Sequence, residues 1–249
     1  MGDFKPCIVV PVYNHEHAIG TVVAGLLQHG VPVILVDDGS NTGCAGVLDS
    51  LAAQHGPNVL LERLPYNQGK GVAVLAGFRR AGELGYSHAL QIDADGQHRT
   101  GDVPVFLAQA RSHPAAVVSG YPIYDESVPK VRLYGRYATH IWVWINTLSL
   151  EIRDSMCGFR VYPVAAVNAL AARQAIGSHM NFDTDVIVRL FWSGLRVVNV
   201  GTRVSYPVDG VSHFRLWRDN VLIARMHTVH FLGMLPRIPK LLARKWRNK

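Results

Sequence analysis

Cysteine is scarce: Cys7, Cys44 and Cys157 stand far apart in 249 residues, and none belongs to a CxxC pair. Three widely spaced thiols exclude a disulfide framework and give no zinc signature, so a reducing compartment is the expectation. Long apolar runs are missing too. The run Ala138–Leu150 is too short to cross a bilayer, and Arg225, His227 and His230 interrupt the later apolar stretch. The opening segment MGDFKPCIVVPVYN lacks the layout of a signal peptide, and Pro6 stands where a myristoylation signal wants Ser or Thr. Charged residues are few at 17%, against 49% hydrophobic, which is the composition of a globular chain rather than a disordered one. Acids are nearly absent from one end. Between Arg215 and Lys249 nine Lys or Arg face a single acid, Asp219, so that segment carries +8 of the net +7 and the first 214 residues sum to −1. A body so close to neutral is not a nucleic-acid-binding surface, and no nucleic-acid partner is expected.

What is present alternates. Apolar runs at 7–12, 33–37, 59–62, 88–92 and 115–119 predict strands, and 17–29, 45–55, 71–84 and 102–112 predict helices between them. Unbroken apolar strands alternating with helices mean an α/β fold with a mostly parallel central sheet flanked by helices. Farther along, 130–150, 163–172, 182–192 and 219–234 predict helices and 196–206 a strand. No repeat or linker is visible. The expected organisation is one catalytic domain over 1–215 and a basic, amphipathic C-terminal helical segment over 216–249.

In such a sheet ligands sit beyond the carboxyl ends of the strands. Asp37 and Asp93 stand there. Asp93-Ala94-Asp95-Gly96-Gln97 brings two carboxylates to one turn, where Mg2+ or Mn2+ finds hard oxygen ligands and keeps positions open for phosphate; Gln97 adds a neutral oxygen. Its first four residues, Asp93 to Gly96, are also good turn chemistry through Asx hydrogen bonds. Asp37-Asp38-Gly39-Ser40 offers carboxylates to ribose or base, or serves as an ordinary strand-to-helix turn. Pro11, Tyr13 and Asn14 close the first predicted strand beside it, with Tyr13 placed to stack on a base. Asn67-Gln68-Gly69-Lys70-Gly71 is a glycine-rich loop opening a helix, where backbone N–H groups and Lys70 face phosphate, without Walker-A spacing.

Taken in order, PVYN, VDDGS, NQGKG and DADGQH resemble the motifs of the family 2 glycosyltransferases, and within them the polyprenyl-phosphate sugar synthases of the dolichyl-phosphate mannose synthase type. The resemblance covers residues 7 to about 215. It implies a GT-A (Rossmann-like) nucleotide-diphospho-sugar transferase fold, with Pro11, Tyr13, Asp37 and Asp38 holding the nucleotide and Asp93, Asp95 and Gln97 the metal. Asp154 through Arg160 is similar to the family's Asp…Gly-Phe-Arg element on the sugar and acceptor side. Asp183 and Asp185 fall where members carry an acid at a helix start. His213, with Arg215 nearby, stands where the family has a lysine that meets the diphosphate. Arg132 and Arg136, one helical turn apart, resemble arginines that meet an acceptor phosphate.

The implied reaction is inverting displacement at an anomeric carbon, from a UDP- or GDP-linked sugar to a lipid or polyprenyl-phosphate acceptor. A hydroxyl acceptor needs a general base, for which Asp185, then Asp183 and Asp154, are the expected residues; a phosphate acceptor needs none. Two competing readings are a nucleotide-binding protein of the membrane surface without turnover, and a sugar-nucleotide pyrophosphorylase. The second wants a basic glycine-rich loop after the first strand, where this chain has Tyr13-Asn14-His15-Glu16-His17. The basic tail MLPRIPKLLARKWRNK suits an anionic membrane surface, so a cytoplasmic protein peripheral to the inner face is expected. On that expectation, removing residues 236–249 weakens membrane association and spares nucleotide binding.

Overall fold

The computed structural model describes residues 3–123, 130–204 and 216–247. Its first half follows the apolar patterning: β1 (Pro6–Val12), α1 (Ile19–Leu27), β2 (Val33–Asp37), α2 (Thr42–His55), β3 (Val59–Arg63), α3 (Lys70–Glu83), β4 (His88–Gln91) and α4 (Val103–Ser112) alternate. Then come β5 (Val117–Ile123), α5 (Lys130–Thr147), β6 (Arg160–Pro163), α6 (Val164–Arg173), α7 (Phe182–Trp192), β7 (Val197–Arg203), α8 (Leu216–Met234) and α9 (Ile238–Arg247).

The strands form one seven-stranded sheet in the order β3-β2-β1-β4-β6-β5-β7. All pairs are parallel except those of β6, which runs antiparallel to both β4 and β5. β6 is the element the patterning does not predict. Successive residues of a strand point to opposite faces, and here both faces are covered. Cys7 and Val9 enter a core with α3, α6 and α7, whereas Ile8 and Val10 enter a second core with α1, α2 and α4. Burial on both sides explains why β2 reads as an unbroken apolar run ending in an acid.

α7 is buried along almost its whole length, acids included. A helix hidden on all sides needs neighbours at both ends, and the C-terminal segment supplies them. α8 lies along α5 and sends His230, fully buried, to Asp185 at the start of α7. α9 closes the other end: Arg244 donates to the carbonyls of Phe191 and Leu195 and pairs with Glu151, and Arg237 lies over the Trp192 ring. Cations that meet the last carbonyls of a helix satisfy groups the helix itself leaves unpaired. Residues 216–247 are therefore packed onto the body: Lys240 and Arg244 bond to its carbonyls, and Arg237 lies over Trp192. Removing residues 236–249 therefore also takes away packing and bonds at the end of α7.

Leu241 of α9 sits in the core with Phe191 and Trp192 and is 5% exposed. Leu241→Ala is expected to destabilise the protein by about 2–3 kcal/mol, the low end of the range for buried leucine because the site is at the rim of the core. Urea denaturation followed by circular dichroism measures it; a loss below about 0.5 kcal/mol, the ordinary surface value, would mean that α9 is not docked.

Candidate active site

The carboxyl ends of β1, β2 and β4 lie side by side, and the functional residues gather there because the parallel register brings them level. Val12 is paired with Asp37, and Asp37 with Arg63, across β1, β2 and β3. Asp37 is buried; its Oδ1 accepts from the Ser40 N–H at 2.9 Å and its Oδ2 from Arg63 Nε at 2.8 Å. Arg63 continues to Asp49 at 3.1 Å. Asp38, also buried, takes the N–H groups of Gln68 and Gly69 at 2.7 and 2.9 Å. Burial raises its pKa above the ordinary value, against the lowering effect of those two bonds. Asp38 thus holds the glycine-rich loop to the strand end. Asn14, at φ 53°, accepts from the Asn41 N–H at 2.8 Å and fixes the loop after β1, with Tyr13 half-buried next to it and Pro11 buried within β1.

The loop aims Lys70, the first residue of α3. Gly69 has φ +100°, and a Cβ there would collide with the Ser178 carbonyl, so the approach admits only glycine. Lys70 Nζ then reaches two acids from distant parts of the chain. It lies 2.7 Å from Oδ1 and 2.9 Å from Oδ2 of Asp93, and 2.8 Å from Oδ2 of Asp183. Gln91 Nε2 completes Asp183 at Oδ1, 2.8 Å away. Burial disfavours the ammonium, but Asp183 and Asp93 outweigh it and hold Lys70 charged. Asp93 responds in kind: burial works against its ionisation, and Lys70 and then His98 bring its pKa below the ordinary value. Asp95 is bonded to no cationic side chain among the described residues, though His98 and Lys70 act on it from a distance. Burial and the Asp93 charge push its pKa up, with the Gln97 N–H on Oδ1 at 3.0 Å as partial relief.

One compensated carboxylate and one uncompensated carboxylate, with the half-buried Gln97 amide beside them, make a position short of positive charge. The donors are all hard oxygens. Among the described residues no group of three or more His, Cys, Asp or Glu forms a closed metal cage. Two carboxylates with open positions suit Mg2+ or Mn2+ shared with phosphate oxygens better than a structural zinc. Gly158 packs against the Asp93 carboxylate so closely that any Cβ would strike it. The Gly-Phe-Arg element thereby touches the site through its glycine.

Three acids expected as bases are engaged elsewhere. Asp185 is 3% exposed, with Oδ1 taken by Arg189 at 2.5 Å and His230 at 2.6 Å and Oδ2 by the Gly177 N–H at 2.7 Å. Asp154 holds Arg136 in a two-point ion pair at 2.6 and 2.8 Å, has His140 at 3.3 Å, and accepts the N–H groups of Met156 and Cys157. Burial opposes its charge, yet His140 and Arg136 keep its pKa well below the carboxylate range. Such an acid is a poor proton acceptor at neutral pH. Asp183 is bound to Lys70 and Gln91 as described. The base assignments for Asp185 and Asp154 do not fit this geometry, because their lone pairs already serve structural bonds. Arg160, expected on the acceptor side, is a fully buried residue of β6 that donates to the Asp183 carbonyl at 2.5 Å and to the Tyr162 hydroxyl at 3.2 Å. Arg136 is brought to Asp154 rather than standing alone. His213, Arg215 and the side chain of Arg132 lie outside the described residues.

Arg63, Gln91 and His140 were missed from sequence. Gln91 had a signal, a lone amide inside an apolar strand. His140 stands one turn from Arg136. Arg63 becomes visible only when β3 is known to lie beside β2.

Residues 7–176 match the family model described as Glycosyl transferase family 2. The chain belongs to that family. This glycosyltransferase is 28% identical over 197 residues to the undecaprenyl-phosphate mannosyltransferase of Micrococcus luteus, covering 77% of this chain and 80% of that one. It is 26% identical over 222 residues to the polyprenol monophosphomannose synthase of Mycolicibacterium smegmatis, covering 84% and 80%. Among solved structures, glucosyl-3-phosphoglycerate synthase from Mycobacterium tuberculosis superposes with a TM-score of 0.64 over 92% of this chain and 79% of that one; at 14% identity it speaks for the fold alone, a GT-A arrangement. The glycosyltransferase is thus an enzyme of known fold and family, with the Lys70 cluster at the strand ends where that fold places ligands.

Proposed function

We propose that this glycosyltransferase moves a sugar, with inversion, from a nucleoside-diphosphate sugar to a polyprenyl-phosphate acceptor, assisted by Mg2+ or Mn2+. The observation that carries the reading is the engagement of Asp154, Asp183 and Asp185. A hydroxyl acceptor would need one of these expected bases free; a phosphate acceptor arrives as the nucleophilic anion and needs none. The relatives named for undecaprenyl-phosphate and polyprenol transfer support the same acceptor class. Asp37, Asp38 and Tyr13 at the ends of β1 and β2 receive the nucleoside, and Asp93, Asp95 and Gln97 face the diphosphate. A divalent cation held there supplies charge neutralisation for the departing diphosphate. Before a cation arrives Lys70 keeps Asp93 ionised, and Asp183 with Gln91 holds the lysine from behind.

The acceptor's chain needs an apolar surface. None of the described helices is long and apolar enough to cross a membrane. α5 and α8 instead expose Ile141, Trp142 and Ile145 beside Phe231, Leu232 and Trp217, each between 38% and 84% exposed. Trp142 meets Phe231 edge-on, so the two sets form one face. Contiguous exposed apolar area of this kind marks a lipid or protein contact, and we assign it to the membrane surface.

Two outcomes are expected. The purified enzyme should transfer labelled sugar from a UDP- or GDP-sugar to undecaprenyl phosphate in the presence of Mn2+ or Mg2+, with Asp95→Asn losing about 100-fold or more in kcat; transfer to a neutral polyprenol at an equal rate would remove the phosphate-acceptor reading. The double substitution Ile141→Glu and Leu232→Glu, both on exposed positions, should lower co-sedimentation with anionic vesicles severalfold at unchanged thermal stability; equal sedimentation would reject this face.

A further inference from the structure

Lys70 is a cation in the place where the proposed function puts another. Its ammonium contacts both oxygens of Asp93, within 2.7–2.9 Å, and the second acid, Asp183, holds it from behind at 2.8 Å. Asp183 is itself fixed by Gln91 and sits on the buried α7. The two acids differ. Asp183 is 6% exposed in its side chain and faces inward, whereas Asp93 is 24% exposed and faces the strand-end cleft beside Asp95. Lys70 is therefore anchored on one side and exchangeable on the other.

Two like charges cannot share one carboxylate without cost in so dry a place. Where the effective dielectric is low, like charges a few ångströms apart repel strongly. Asp95 does not relieve this, because among the described residues it has no cationic side chain bonded to it.

We infer that Lys70 is a resident counter-ion that competes with the divalent cation for Asp93: loading requires Lys70 to give up Asp93 while keeping Asp183, and the freed ammonium is then left facing the donor's diphosphate. This deepens the metal-assisted reading above and rests on it. Four features of the chain serve the arrangement. Gly69 allows the close approach of α3, Asp38 holds the loop, Gly158 leaves the space that the Asp93 carboxylate fills, and the flexible four-carbon stem of lysine permits a swing that a shorter side chain could not make. Lys70 so acts as a positioning residue on Asp93 before loading and as a phosphate contact after it. No bond is made or broken in the exchange; one ion pair replaces another.

The test is Mn2+ binding without nucleotide, read from the free-Mn2+ electron paramagnetic resonance signal at fixed pH. An opposite charge in contact shifts the proton affinity of a carboxylate by roughly one to three pKa units, and its removal should tell on metal affinity by a comparable factor. Lys70→Met is expected to bind Mn2+ about tenfold or more tightly than the parent. Asp183→Asn should move the other way, since a lysine without its inner anchor clings to Asp93, and it keeps the question answerable if Lys70→Met fails to fold. Lys70→Arg, which keeps the charge, should stay near the parent value. Unchanged or weaker Mn2+ binding by Lys70→Met, or unchanged or tighter binding by Asp183→Asn, overturns the competition while leaving the metal site standing. Absence of Mn2+ binding in the parent and in every variant overturns the metal reading and this inference with it.

Discussion

A buried lysine bonded to two carboxylates is costly to assemble, because each charge must leave water before the attraction between them is felt. In this glycosyltransferase the Lys70–Asp93–Asp183 contact is nonetheless the constraint on which the site depends. It joins the start of α3, the turn after β4 and the start of α7, three elements separated by as much as 113 positions in sequence. Everything around it reads as support. Gln91 fills the remaining valence of Asp183, and Arg160, itself buried, donates to the Asp183 carbonyl. Asp38 and Gly69 place the loop from which Lys70 emerges. A buried charged network of this kind fixes geometry more than it adds stability, and among the described residues Gln91 Oε1 and the Nε and Nη2 of Arg160 have no hydrogen-bond partner within it.

α7 links this cluster to the exposed apolar face of α5 and α8. Asp183 meets Lys70, and two residues later Asp185 meets Arg189, Gly177 and the buried His230 of α8. His227, one turn before His230, is kept neutral by burial, which lowers its pKa to about 4. The face that exposes Phe231 and Leu232 is thus carried by a helix whose inner side is bonded to the same short segment that anchors Lys70.

Much of this was legible in the chain. Strands buried on both faces announce themselves as apolar runs, and the parallel order followed from their alternation with helices, so Asp37, Asp93 and Asp95 could be placed at strand ends before any coordinates. The match of residues 7–176 to glycosyltransferase family 2 agrees with the resemblance that PVYN, VDDGS, NQGKG and DADGQH carry. The rest was hidden for physical reasons. β6 has four residues and runs straight into α6, so its apolar residues merge with the helical pattern. Asp185, Asp183 and Asp154 look alike in sequence; only tertiary contacts separate an acid bonded to His230 and Arg189 from one bonded to Lys70 or to Arg136. The tail, too, carries a surface composition, yet Leu241 and Arg244 turn inward because the carbonyl end of α7 needs partners that no local sequence supplies.

The central claim is that the carboxylates at the ends of β2 and β4 are the donor site. A crystal structure grown with Mn2+ and UDP or GDP, with manganese located by its anomalous scattering, tests it most directly. The account predicts one manganese peak in contact with the carboxylates of Asp93 and Asp95 and with diphosphate oxygens, and the nucleoside against Asp37 and Tyr13. Manganese away from both carboxylates, or a nucleotide seated elsewhere on the molecule, would contradict it.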